Sequence, residues 1–240
     1  MTMNMMMKRI SIRLIAVLTV IMSTLAMSAQ QKYCMDLKDF GELKVVDGVN
    51  VIWKCSADSA GMVTFAADPE MVPLILLSNN KNQLRVQLQD TEFPLKKIPT
   101  LTVYSNFLSK AENSGDSTLT ILSPLPSAEI NLRVVGNGTL VATGLHATTV
   151  DAKIDTGRGR IILQGIAQWI KLRNLGSGTI EASSLKAEKG SFIIGGTGNI
   201  DCWVTGELTV KGLGSGKVYC KGNPQTKNRT LGTVKIIPVE

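Results

Sequence analysis

The sequence predicts an all-β protein: a solenoid-like stack of parallel β-rungs with a β region at its N-terminal end. Three observations lead to this prediction. A short glycine-containing phrase recurs at intervals of 18 to 21 residues, apolar residues alternate with variable ones after each phrase, and glycines stand immediately before each alternating stretch. Units of this length bury their apolar rows only against neighbouring units, so such an array folds as one body.

Residues 1–29 have the pattern of a secretory signal peptide. Lys8, Arg9 and Arg13 precede an apolar run, and small residues follow that run. The run is shorter than the roughly 20 apolar residues that span a bilayer, so we expect cleavage and no integral membrane segment in the mature chain. Loss of the three basic residues lowers the formal net charge from +7 to +4. The mature protein is expected in the periplasm, at the cell surface or in the medium.

Residues 30–110 predict an N-terminal β region with one short helical turn. Asp68 and Pro69 suit the first positions of a helix, and Pro73 keeps that helix short. Asp47-Gly48 indicates a hairpin or a corner between two strands. We interpret this region as a β cap that continues the core of the stack, not as a separate domain. Its strands are expected over 43–46, 49–54, 62–66, 84–89 and 101–104.

Residues 111–240 are predicted to form the repeat solenoid, continuous with the cap. The fifth and seventh positions of each copy are apolar and the sixth varies, which is typical of a strand with one buried face. The Gly-x-Gly that opens most copies allows a tight corner where a side chain would clash. An antiparallel sandwich is the alternative, although it does not require the same phrase at a fixed period. The copies begin at Gly115, Gly136, Gly157, Gly176, Gly196 and Gly214.

Four cysteines in an exported protein suggest disulfides. Cys202 and Cys220 hold the same inward position in consecutive copies, so adjacent rungs would bring their Cα atoms to about 5 Å, which a disulfide can bridge. A reduced pair packed in the core is the alternative. If Cys202 and Cys220 form a disulfide, Cys34 and Cys55 remain to form the second one. The chain has a single histidine and no C-x-x-C, which argues against a structural metal site.

Two kinds of side chain are candidates for function. Glu181 and Asp201 share the outward sixth position of consecutive copies, with Arg160 nearby, so their carboxyl groups are expected within roughly 5 Å. Such a pair can cleave a glycoside or hold calcium, or it can be a solvated row of charges. Trp203 follows the inward Cys202 and is therefore expected to face outward as an aromatic contact, unless it packs under a loop.

Basic residues are scattered along the repeats without a cluster or an interleaved aromatic stripe, which argues against a nucleic-acid partner. The Gly-x-Gly phrases lead into strands and lack the third glycine and the helix of a dinucleotide-binding loop. We therefore expect no cofactor.

Several segments of the chain match the pattern of a known family, namely 49–52, 68–75, 84–86, 176–180 and 219–224. Through these segments the chain resembles the putative autotransporter adhesin, head GIN domain family of secreted Bacteroidetes-type proteins. This resemblance implies a right-handed parallel β-helix-like fold, export and a role in adhesion or surface contact, without established catalytic residues.

The resulting hypothesis is an exported, non-enzymatic binding module for a glycan or an envelope protein. Two alternatives remain. One is a polysaccharide lyase or hydrolase that uses Glu181 and Asp201. The other is a structural envelope protein that associates with further copies of itself.

Overall fold

The computed structural model describes residues 30–90 and 97–239. The predicted signal peptide, residues 1–29, lies outside the described residues. Within them, 17 strands join one continuous sheet, and the only helix is a 3-10 helix over Pro69–Leu74. The first strands are β1 (Gln31–Asp36), β2 (Glu42–Val45), β3 (Val51–Cys55), β4 (Met62–Ala67), β5 (Ile75–Asn80), β6 (Gln83–Leu88), β7 (Leu101–Ser105) and β8 (Lys110–Asn113).

The strands of the repeat region are longer than expected. In most copies, the segment that follows the glycine corner continues through a second bend into the next segment, so that the two segments form one strand. The register shifts at these bends, for example between Ala142 and Leu145, so one strand can follow two faces of the coil. These strands are β9 (Thr118–Leu122), β10 (Ser127–Val134), β11 (Thr139–Ile154), β12 (Arg160–Asn174), β13 (Thr179–Ile194), β14 (Asn199–Gly212), β15 (Lys217–Lys221), β16 (Gln225–Thr230) and β17 (Lys235–Val239).

Parallel pairing confirms the all-β solenoid. The coil has two faces, which meet at the glycine corners between strands and at the bends within β11 to β14. The first face contains β6, β2, β8, β10, the second halves of β11 to β14, and β16. The second face contains β7, β3, β9, the first halves of β11 to β14, β15 and β17.

The N-terminal strands do not stack in chain order. The rung made by β2 and β3 lies between the β6–β7 rung and the β8–β9 rung. Asp47-Gly48 is therefore a corner and not a hairpin turn. The true hairpin joins β5 to β6, and its two turn residues, Lys81 and Asn82, have φ angles of 49° and 65°. Such a two-residue turn with positive φ suits the twist of an antiparallel pair. β1 and β4 also pair antiparallel.

The apolar rows predicted from the repeat form the core. Every residue at the fifth and seventh positions is buried, from Leu119 and Ile121 in the first copy to Val218 and Cys220 in the last. One hydrophobic cluster runs without interruption from Phe40 to Val234. Alternation along the strands therefore assigned the inner and outer positions of the repeats.

The glycine corners are held from inside by two buried asparagines. The side-chain amide of Asn174 donates hydrogen bonds to the carbonyl oxygens of Gly178 (2.9 Å) and Asn199 (3.2 Å). Asn113 does the same for Ser117 (2.8 Å) and Thr139 (2.9 Å). Each asparagine thus joins two successive rungs. Buried carbonyl groups need such donors because water cannot reach them.

Candidate functional site

The structure places Glu181 and Asp201 as register partners on adjacent strands of the second face. Glu181 does not stand free, because Arg160 binds both of its carboxylate oxygens through Nε (2.5 Å) and Nη2 (2.7 Å). This hydrogen bonding and the charge of Glu181 raise the pKa of Arg160. Arg160 and Glu181 therefore form a bidentate ion pair, and Asp201 supplies a second carboxylate on the adjacent strand.

Asp201 is the more unusual of the two acids. Burial, and then the negative charge of Glu181, raise its pKa above the usual range. No ion pair to Asp201 occurs among the described residues. A retaining glycosidase needs one carboxylate as a nucleophile and a second as a proton donor. Glu181 is neutralised by Arg160, and the pair lies on the outer surface of a sheet, so this geometry gives weak support to cleavage.

Trp203 is half-buried at the bend that follows the second face. The ammonium groups of Lys186 and Lys221 lie 5.4 Å and 5.2 Å from its ring centroid. Both lysines are register neighbours of Trp203. Cation–π attraction to two lysines accounts for the ring's position, and it leaves less of the ring for a ligand.

No disulfide joins any of the four cysteines in the structure. Cys202 and Cys220 are buried register partners on β14 and β15, and the pKa of the Cys202 thiol is raised by its hydrogen bond with Cys220 and by burial. A disulfide between these two stays a prediction. Cys34 and Cys55 are not brought together, because β4 and β7 lie between their strands. Three strand spacings amount to about 14 Å, twice the span of a disulfide.

A surface that the sequence analysis missed lies on the first face, over its last four rungs. Trp169 is exposed there at 45%, and the Lys171 ammonium group lies 5.5 Å from its ring centroid. We name this surface, with its five basic residues, the cationic patch. It surrounds a shallow depression of about 420 Å³ that also contains Ser191, Glu207 and Thr209. The basic residues are Lys171, Lys189, Lys211, Lys227 and Arg229.

The expectation that basic residues form no cluster was wrong. Lys171, Lys189, Lys211 and Lys227 stand 16 to 22 residues apart in the chain, which is close to the length of one turn. The coil therefore places them on successive rungs of a single face. Alignment of the outward positions of the repeats would have revealed the patch, whereas a search along the linear sequence could not.

The cations of the patch are not neutralised by ion pairs within the described part of the chain. Among residues 30–90 and 97–239, none of the five takes part in an ion pair. Glu207 is the register partner of Lys189 without reaching it. Asp151, the register partner of Lys171, lies at the edge of the patch and is bound to Arg173. Five positive charges thus outnumber the carboxylates of Glu207 and Asp151 and give this surface a net positive potential that favours anions.

The other half of the same face shows the opposite arrangement, an ion-pair ladder. Lys44 binds Glu112 at 2.6 Å, Arg133 binds Glu112 at 3.2 Å, and Arg133 and Lys153 both bind Asp155. Arg173 binds Asp151 at 2.7 Å. Here the charges neutralise one another and stabilise the rungs. The contrast assigns a structural role to the ladder and leaves the cations of the patch available to a ligand.

The ladder predicts a pH dependence of stability. Burial opposes ionisation of Glu112, but hydrogen bonds from Lys44 and Ser114 and the nearby positive charges outweigh it and lower the pKa. A lowered folded-state pKa stabilises the protein above the unfolded value, near 4.3, and this contribution is lost as the pH falls through the folded value.

We therefore expect Glu112→Gln to lower the free energy of unfolding by about 2 kcal/mol at pH 7, a magnitude typical of hydrogen bonds to charged groups. The difference from the wild type should shrink as the pH falls below about 4. Urea unfolding at both pH values measures it. Glu129→Gln is the matched control and should change little, because Glu129 is exposed and forms no ion pair with the residues that the structure describes. A Glu112→Gln effect that is independent of pH would contradict the ladder.

The remaining parts of the described structure show fewer features of a functional site. His146 is exposed at a bend, beside Pro126 and Ile166. In the described part of the chain, no group of three or more His, Cys, Asp or Glu side chains could hold a metal ion. The same residues contain no helix of the length and hydropathy needed to cross a membrane.

Comparison with known proteins supports the fold. A family model described as "Putative auto-transporter adhesin, head GIN domain" matches residues 39–224. No curated protein matches the chain.

Several solved structures share the solenoid. A putative adhesin from Bacteroides fragilis NCTC 9343 is 21% identical, with a TM-score of 0.77 over 87% of this chain and 96% of that one. A putative lipid binding protein from Parabacteroides distasonis ATCC 8503 is 16% identical, with a TM-score of 0.70 over 88% and 97%. A putative adhesin from Parabacteroides merdae ATCC 43184 is 17% identical, with a TM-score of 0.67 over 88% and 97%. At these identities the likeness shows the fold alone.

Proposed function

The chain belongs to the putative auto-transporter adhesin, head GIN domain family, and from this premise we propose that it is an exported, non-enzymatic module that binds a glycan through the cationic patch. The observation that carries the proposal is the exposed Trp169 among cations that form no ion pair with any described residue. An indole ring offers a rigid, flat apolar surface with a polar edge, which suits the apolar face of a sugar ring.

The composition of the patch favours a glycan over an envelope protein. Protein–protein interfaces are depleted of lysine and built around an apolar centre. The cationic patch has four lysines, one arginine and one aromatic residue, with the hydroxyl groups of Ser191 and Thr209 between them. Hydroxyl groups and charged donors suit the many hydroxyl and carboxylate groups of a polysaccharide.

The proposal predicts a selective effect of Trp169→Ala. We expect retention on a glycan array to weaken by about tenfold, the effect of losing one aromatic contact of roughly 1.4 kcal/mol, while the melting temperature stays close to the wild-type value. Trp203→Ala is the matched control, because it removes the same side chain outside the patch. Loss of retention in Trp203→Ala alone would move the site to that bend.

The same array distinguishes binding from cleavage. Retained glycan of unchanged length supports a binding module. Shortened chains in the eluate, abolished in Glu181→Gln/Asp201→Asn, would overturn the proposal in favour of a polysaccharide-active enzyme. Light scattering over a range of concentrations tests the remaining alternative, a structural protein that associates with itself.

A further inference from the structure

The residues of the cationic patch are arranged in an order that bears on the charge and the direction of the ligand. Its central column contains Lys171, Ser191, Thr209 and Lys227, which are register partners on four successive rungs. The two ends of the column are cationic and its two middle positions carry neutral hydroxyl groups. Three rung spacings separate the ends, about 14 Å between Cα atoms.

Further cations flank this column on both sides. Lys189 is two residues before Ser191 on one strand, and Lys211 is two residues after Thr209 on the next. Side chains two apart on a strand point to the same face, so both lysines project beside the central hydroxyl groups. Arg229, on the following rung, is the register partner of Lys211. An extended chain laid along the column would meet an ammonium group at each end and one on either side.

We infer that the ligand is an acidic polysaccharide that lies lengthwise along the solenoid axis, with carboxylate or sulfate groups against Lys171 and Lys227 and neutral sugar hydroxyls over Ser191 and Thr209. This inference rests on the proposed function and adds the chemical class and direction of the ligand. A single-stranded nucleic acid is the competing polyanion. Binding of single strands typically uses several aromatic rings on which successive bases stack, whereas the patch has Trp169 alone.

The positive charges of the patch imply that its affinity for a ligand depends on the salt concentration. All five cations are partly or fully exposed, so dissolved ions screen them within about 10 Å at 0.1 M salt. An anionic ligand should bind more weakly as salt increases. A neutral ligand held by the ring and the hydroxyl groups should be nearly indifferent to salt.

The test measures the affinity of the full mature protein for polygalacturonate, dextran sulfate, neutral dextran and single-stranded DNA. The variant is Lys171→Gln/Lys227→Gln, which removes both ends of the column. The matched control is Lys217→Gln/Lys235→Gln, which removes the same charge from two adjacent rungs of the second face. All four lysines lack ion pairs among the described residues, so both variants should fold, and melting curves verify this.

We expect the wild type to prefer polygalacturonate or dextran sulfate to neutral dextran. The patch variant should bind the preferred polymer at least about tenfold more weakly, since each lost charged hydrogen bond contributes about that factor. The control should stay within about twofold, as expected of screened surface charges. Preference between the two polymers identifies the anionic group as carboxylate or sulfate.

Each other outcome is decisive. An equal loss in the control would show diffuse attraction and overturn the inference. Equal binding of neutral dextran, with the Trp169 effect kept, would overturn the inference while the proposed function stands. Tighter binding of DNA, lost in the patch variant, would replace the ligand class. Absence of binding to any glycan would overturn both the inference and the proposed function.

Discussion

Gly178→Ala is expected to lower the free energy of unfolding by about 3 kcal/mol or more. A Cβ atom at this position would stand 1.9 Å from the carbonyl oxygen of Gly159 on the preceding rung. That oxygen accepts a hydrogen bond from the backbone N–H of Thr179 at 3.1 Å. The obstacle is backbone and not the end of a flexible side chain. Two rungs must therefore separate, and the hydrogen bonds between them must lengthen.

Gly48→Ala is the matched control for this prediction. A Cβ atom at Gly48 would meet nothing within 4 Å, so the same substitution should be neutral, or slightly stabilising because alanine restricts the unfolded chain. Urea unfolding of both variants measures the difference. If Gly178→Ala unfolded within 0.5 kcal/mol of the control, roughly the scatter of ordinary surface substitutions, close approach of the rungs could not be the reason for glycine at these corners.

The glycines illustrate what the sequence could predict. Their period located the corners, and alternation after each corner assigned the buried residues, because both signals are local and recur in every turn. The reason for glycine was only partly foreseen. Gly136 and Gly157 have the positive φ that glycine permits. At Gly178 and Gly198, the carbonyl oxygen of the rung beneath leaves no room for a side chain.

The order in which the N-terminal rungs stack could not be predicted in the same way. The β2–β3 rung lies between two rungs that follow it in the chain, and no local pattern encodes that order. The candidate site shows a related difficulty. Trp203 was chosen because it follows an inward residue, yet Lys186 and Lys221 cover its ring. Side chains from other turns decide how exposed an outward residue is.

Trp53→Ala should be a second severely destabilising substitution, with an expected loss of about 3 to 5 kcal/mol. Trp53 is fully buried on β3, and its indole N–H donates a hydrogen bond to Ser105 Oγ at 2.8 Å. Ser105 is itself buried and donates to the carbonyl oxygen of Phe107 at 3.0 Å. Truncation would leave a large cavity between rungs and remove a partner from a buried hydroxyl group. Urea unfolding would measure the loss.

Trp53→Phe separates these two causes, because it keeps most of the ring volume and removes the N–H donor. We expect it to retain more than half of the stability lost in Trp53→Ala, since the cavity contributes more than one hydrogen bond of about 1 kcal/mol. Equal losses in the two variants would instead assign the effect to the hydrogen bond with Ser105. Trp169→Ala completes the series: the same truncation at a 45% exposed ring should spare stability and weaken glycan retention. Whether a tryptophan points into the coil or out of it should therefore decide which of the two measurements its substitution changes.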